Sequence, residues 1–169
     1  MLIKSVLGKK PIWGKDCFFA DNATVIGDVV IGNYCSIWFN TVVRGDVNEI
    51  RIGNNVNIQD GSVVHSTYKK SSTSIGDNVS IGHNAIIHGG IIDDFVLIGM
   101  GSIVMDHVKI SSNTIIAAGS IVKENTIIEP NSIYAGVPVK KIKEIDHSKS
   151  KKEIERIAKN YLIYSSWYK

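Results

Sequence analysis

Three of the five histidines, His65, His83 and His88, fall in one short stretch of the chain, and neutral imidazole is a common zinc ligand. A tetrahedral ion held by three imidazoles keeps one position open for water, the arrangement of a catalytic rather than a structural zinc. Water on such an ion has a pKa near ~7, so it serves as a hydroxide nucleophile at neutral pH. Iron and cobalt also accept imidazole, and the donor set alone does not choose between them and zinc. His107 and His147 have no such neighbours in the sequence. A single histidine on a strand is ordinarily just a polar residue facing water. The chemistry therefore depends on what brings three of them together.

The positioning element is a repeat. β-Branched or aliphatic residues return about every six positions: Ile26, Ile31, Ile37, Val43, Ile52, Ile58, Val64, Ile75, Ile81, Ile87, Ile92, Ile98, Val104, Ile110, Ile116, Val122, Ile128 and Tyr134. Small or β-branched residues follow four places on, as at Cys35, Thr41, Val56, Ser62, Val79 and Ala85, and supply a second inward position. A period of six suits neither a helix nor one long strand, but it suits a coil in which each hexad is one short strand and one corner. Three hexads close a turn, giving about six turns of parallel strands. Glycine follows the first inward position at Gly27, Gly32, Gly53, Gly76, Gly82 and Gly99, where the missing Cβ eases a tight corner.

The expected organisation is mainly β over residues 1–147, with Trp13, Phe18 and Phe19 in an N-terminal cap that covers an open strand edge. Residues 148–169 read as an amphipathic α-helix through Ile154, Ile157, Ala158, Tyr161, Tyr164, Ser165 and Tyr168. Ser150-Lys151-Lys152-Glu153 has the form of a capping box at its start. A lone helix of this length is marginal in water, so its apolar stripe must dock on the coil or on a neighbouring subunit.

Two insertions break the period. One adds three residues between Val43 and Ile52, around Arg44-Gly45-Asp46-Val47-Asn48-Glu49, and the other adds five between Val64 and Ile75, in the segment from Ser66 to Thr73. Val64 and Ile87 are then three hexads apart, so they stack on successive turns of one face, and His65 and His88 follow them directly. Their Cα atoms should lie roughly 4.8 Å apart, and two nitrogens on one tetrahedral zinc need a separation near ~3.4 Å. His83, two residues after Ile81, belongs to the preceding face. Its own chain puts it across a corner from the other pair, and a neighbour around a threefold axis is an alternative source of it.

Composition narrows the setting. A formal charge of +3 does not make nucleic acid a default partner, and Lys140, Lys141, Lys143, Lys149, Lys151 and Lys152 carry no interleaved aromatics, so they read as a solvated face. The opening MLIKSVLGKK turns polar too early for a secretory core, and no apolar run approaches the ~18 residues of a membrane span. Cys17 and Cys35 lack metal-ribbon spacing and read as reduced structural thiols, which points to a cytoplasmic protein.

Arg44-Gly45-Asp46, Asn57-Ile58-Gln59-Asp60-Gly61, His65, Ile81-Gly82-His83 and Ile87-His88-Gly89 together resemble the γ-class carbonic anhydrase family, with Gly99-Met100-Gly101 and Gly136-Val137-Pro138-Val139-Lys140 downstream. The resemblance covers nearly the whole chain. It implies a left-handed parallel β-helix, a homotrimer, and three zinc sites at subunit interfaces, each taking His65 and His88 from one subunit and His83 from the next. It also implies that Gln59 orients the zinc-bound water, that Arg44, Asp46 and Asp60 form the polar network beside the metal, and that Asn160 corresponds to an active-site Asn. The Tyr that precedes that Asn by two in the best-known member is Ala158 here. The implied reaction is reversible hydration of carbon dioxide to bicarbonate by metal-bound hydroxide. Proton transfer is the point of departure: the prototype uses an acidic loop, whereas this chain has Val47 after Asp46 and Lys69 and Lys70 in its second insertion, with Glu49 the substitute at hand. Two other functions fit a hexapeptide coil. One is an acyltransferase using acetyl- or acyl-coenzyme A with a histidine base, and the other is a catalytically silent metal-binding trimer.

Overall fold

The computed structural model describes residues 1–168; Lys169, the end of the expected helical segment, lies outside them. The hexads wind into a left-handed parallel β-helix of about seven turns, closed by one C-terminal helix. The first turn is β1 (Leu2–Lys4), β2 (Ile12–Trp13) and β3 (Phe18–Phe19). Two long strands, β4 (Thr24–Ile31) and β6 (Val42–Ile52), bend through a corner and serve two faces each, with β5 (Ser36–Ile37) between them and β7 (Asn57–Ile58) after. The next turns are β8 (Val63–His65), β9 (Thr73–Ile75) and β10 (Ser80–Ile81), then β11 (Ile86–His88), β12 (Gly90–Ile92) and β13 (Val96–Ile98). They continue as β14 (Ile103–Val104), β15 (Lys109–Ile110), β16 (Thr114–Ile116), β17 (Ile121–Val122), β18 (Ile127–Ile128) and β19 (Ser132–Gly136). The strand β20 (Val139–Glu144) folds back antiparallel on β19.

The segment expected as an N-terminal cap is itself a turn of the coil. β1 and β2 pair in parallel with β4, and β3 pairs with β5, which makes one turn more than hexad counting from Ile26 finds. Its loops are longer than a hexad corner, so the period is not visible there.

The hexad positions are the core except at Ile26, where Val25 is the inward residue, paired with Val43, and Ile26 stands outward beside Arg44. Ile37, Ile58, Ile81, Ile98 and Ile116 stack in register on one face, and Val43, Val64, Ile87, Val104 and Val122 on another, all fully buried. Each such side chain contributes about 1.5–3 kcal/mol on leaving water, and repetition makes the sum large. At the corners, Asn55, Asn78 and Asn84 take the left-handed conformation that asparagine tolerates. Gly53 serves close approach instead: a Cβ there would meet the Asp77 carboxylate and lie 2.8 Å from the Gly76 carbonyl carbon.

The helix α1 (His147–Ser166) docks on its own coil, over the outer face formed by β5, β7 and β10. Ser36, Asn57 and Ser80 on that face are buried beneath it, and Ser150, Ile154, Ala158 and Ser165 are its own buried residues. Trp38 packs edge-on against Tyr161 at 5.5 Å and against Tyr168 at 5.7 Å. The capping-box reading is corrected. Asp146 is the N-cap, accepting the Lys149 amide at 2.9 Å, whereas Ser150 lies inside the first turn and donates its hydroxyl to the Asp146 carbonyl at 2.9 Å. A carboxylate both accepts the orphan amide and favours the positive end of the helix dipole, so it wins the position. No helix among the described residues is long and apolar enough to cross a membrane.

Candidate metal centre

β8 and β11 lie side by side with Val64 against Ile87 and His65 against His88, as the insertion arithmetic requires. Side chains alternate across a strand, so with Val64 and Ile87 inward both imidazoles stand on the outer face of the coil. His65 Nδ1 and His88 Nε2 approach to 3.4 Å. That is the separation two ligand nitrogens need on a tetrahedral ion with bonds of ~2.0–2.1 Å.

The far nitrogens decide the tautomers. His65 Nε2 is 3.0 Å from Asp46 Oδ1, and His88 Nδ1 is 3.5 Å from Asp106 Oδ1. The Asp46 carboxylate accepts from His65 Nε2, which leaves His65 Nδ1 with its lone pair, whereas Asp106 stands beside His88 Nδ1 at a distance longer than an ordinary hydrogen bond. With both near nitrogens unprotonated, their repulsion at this separation is offset by a positive centre between them. Burial holds His65 below the ordinary imidazole range against the pull of Asp46, which keeps it in the neutral, ligating form. The donor set therefore fits a divalent cation.

Asp46 is fixed from the other side, where Arg44 Nη1 donates to its Oδ2 at 2.6 Å. Arg44 stands one turn below His65 in the same outward column, since Val43 pairs with Val64. Burial works against the Asp46 charge, but the bonds from Arg44 and His65 hold its carboxyl below the usual carboxylate range. Asp106 is held in the same way: burial opposes its charge, and the Ser71 and Thr67 hydroxyls lower it.

His83 stands apart. It sits on the corner between β10 and β11, with Nδ1 2.8 Å from Asp60 Oδ2. Gln59 is buried on the same corner and donates Nε2 to Asn57 Oδ1 at 2.9 Å. Among the described residues, no group of three or more His, Cys, Asp or Glu is placed to hold a metal within one chain. One chain thus places two polar clusters at opposite edges of a single face: Arg44, Asp46, His65 and His88 at one, and Gln59, Asp60 and His83 at the other.

Residues 14–45 match the family described as bacterial transferase hexapeptide (six repeats). The chain is 48% identical over 162 residues to "Carbonic anhydrase" of Geobacillus kaustophilus, covering 96% of this chain and 88% of that one. It belongs to the γ-carbonic anhydrase-like family of hexapeptide-repeat proteins. "Gamma carbonic anhydrase 2, mitochondrial" of Arabidopsis thaliana is 41% identical over 165 residues, 95% of this chain and 59% of that protein. A crystal structure of a hexapeptide transferase family protein from Anaplasma phagocytophilum superposes with a TM-score of 0.93 at 36% identity, covering 99% of this chain and 98% of that one.

Within this γ-carbonic anhydrase-like frame, three residues beside the site were not legible in the sequence. Asp106 reaches His88 from the following turn, and its only sequence signal is a carboxylate two places after the inward Val104. Asn48, in the first insertion, donates Nδ2 to the carbonyls of Thr67 at 2.8 Å and Ser71 at 2.6 Å, so one insertion braces the other. On α1 it is Tyr161 that faces Asp60: burial, and behind it the Asp60 charge, push its hydroxyl up to about 12. Asn160 is half-buried and hydrogen-bonds to none of the site residues among those described. The expected substitute for an acidic loop, Glu49, is ion-paired, and so is Lys70 of the second insertion. Glu49 lies 2.8 Å from Arg51, and Lys70 is 2.6 Å from Glu124.

Proposed function

We propose that this protein is a γ-class carbonic anhydrase, a homotrimer holding zinc between His65 and His88 of one subunit and His83 of the next, and interconverting carbon dioxide and bicarbonate. The observation that carries the reading is the pair of imidazole nitrogens meeting at 3.4 Å, with Asp46 bonded to the far nitrogen of His65 and Asp106 beside that of His88. Zinc bound there would supply Lewis acidity that brings the pKa of water toward ~7. Arg44 anchors Asp46 and Asp46 orients His65. Asp60 orients His83 on the opposing edge, and Gln59 Oε1, uncommitted among the described residues, is available to position a water or bicarbonate hydrogen.

The trimer is supported by the face on which the histidines stand. Its outward column is Val42, Val63, Ile86, Ile103 and Ile121, an apolar strip over five successive turns of the coil, with Ile86 36% exposed in a single chain. Packing that strip against the next subunit around a threefold axis would join one half-site to the other. Both thiols are free, which suits a reducing compartment, and we place the protein in the cytoplasm.

Metal analysis with stopped-flow hydration tests the proposal. The expected result is one zinc per chain and hydration activity that His88→Ala abolishes. A metal-free trimer, or unchanged activity in His88→Ala, overturns it. Because Glu49 and Glu124 are engaged by Arg51 and Lys70, proton export is expected to limit turnover. Added imidazole buffer should then raise kcat severalfold, and a kcat indifferent to buffer would place the limit elsewhere.

An acyltransferase is the second reading, favoured by the likeness to the hexapeptide transferase family protein. One general base does not need two facing imidazoles, and millimolar coenzyme A raising the melting temperature would be its signature. In a third reading, a silent metal-stapled trimer, removing zinc dissolves the assembly with no activity to lose.

A further inference from the structure

Asp106 belongs to none of the sequence motifs. Ile87 pairs with Val104, which sets Asp106 over Gly89, one turn beyond His88, where it is 9% exposed. Its Oδ2 accepts the Thr67 hydroxyl at 2.7 Å, its Oδ1 accepts the Ser71 hydroxyl, and Lys70 Nζ stands 3.9 Å away. All three donors come from the inserted loop. Gly89 has the space such a carboxylate needs: a Cβ there would meet Asp106 Oδ1 and lie 2.6 Å from Ser71 Oγ. The loop is itself anchored by Asn48 at the carbonyls of Thr67 and Ser71.

We propose that Asp106 is a positioning residue for His88, and that the inserted loop from Ser66 to Thr73 is the clamp that holds it there. The proposal rests on the metal reading above in that His88 is taken as a ligand. Oδ1 stands 3.5 Å from His88 Nδ1, a charge contact longer than an ordinary hydrogen bond. With both oxygens bonded to loop hydroxyls, the carboxylate cannot turn away. The hydrogen stays on Nδ1 and the Nε2 lone pair stays aimed at His65. A loop that supplies hydroxyls and an ammonium but no carboxylate of its own is suited to gripping an acid, not to relaying protons.

Five histidines make selective ring labelling practical. In the metal-free protein, the ring nitrogen shifts of His88 should report the Nδ1–H tautomer, and Asp106→Ala should move it toward Nε2–H. Zinc affinity by chelator competition should fall roughly 10–100-fold in Asp106→Ala and less in Asp106→Asn, which keeps an acceptor. Thr67→Val with Ser71→Ala, which frees the carboxylate without removing it, should fall between wild type and Asp106→Ala. If Asp106→Ala does not fold, Asp106→Asn is read in the same two ways. An unchanged tautomer, with zinc affinity within about twofold of wild type, overturns the proposal and reduces Asp106 to a loop anchor. Should the wild-type protein take up no zinc, the metal reading fails, while the ring shifts still decide whether Asp106 sets His88.

Discussion

Mixing His83→Ala subunits with His88→Ala subunits is expected to restore zinc binding that neither variant has alone. In one chain, His65 and His88 meet at 3.4 Å while His83 stands 2.8 Å from Asp60 on the far edge of the same face. Removing His83 or His88 should therefore empty every site of a homotrimer. A ring interface is heterologous, with one edge of each subunit meeting the other edge of the next. A His83→Ala subunit followed by a His88→Ala subunit presents intact His65 and His88 to an intact His83. Random exchange of equal amounts should rebuild about a quarter of the sites. Unfolding and refolding the mixture, then measuring retained zinc after gel filtration, checks this. A mixture that stays empty, or a His83→Ala trimer that keeps full zinc, refutes the shared site.

Ile86→Asp is expected to give folded monomers that no longer retain zinc, although all three histidines are present. Ile86 lies between Val63 and Ile103 in the outward column of the histidine face, two residues from His88. It is 36% exposed in the single chain, and the inward Ile87 beside it is fully buried, so the coil itself does not depend on it. In a trimer the same position would bury an unpaired carboxylate in every interface, at a cost of several kcal/mol each. Light scattering reports the mass, circular dichroism the retained coil, and metal analysis the consequence. A zinc-loaded trimer carrying the charge would show that the assembly uses another face. Together the two experiments separate a site made of residues from a site made of subunits.

The coil was legible because its cause is repetitive and local. Each hexad places one aliphatic side chain inward, and turns stack at a fixed spacing, so counting from Val64 across five extra residues to Ile87 puts His65 beside His88. The first turn escaped the count because its loops are longer than a corner, and the cap falls at Asp146 because it outcompetes Ser150. Asp106 shows the limit most clearly. Its distance along the chain from His88 is one turn, yet nothing in the repeat tells an outward carboxylate on a corner from a solvated one. Its role depends on where an irregular loop lays Thr67 and Ser71.

The sequence by itself determined the coil, the inward core and the stacking of two histidines, because a period of six leaves one way to bury its aliphatic side chains. Only the tertiary structure decided which nitrogens face each other, which acids stand beside them, and that Asp60 is the neighbour of His83 at the other edge. Those outcomes depend on rotamers, loop paths and the corner between two faces, which are set by contacts between residues far apart in the chain and carry no periodic signal.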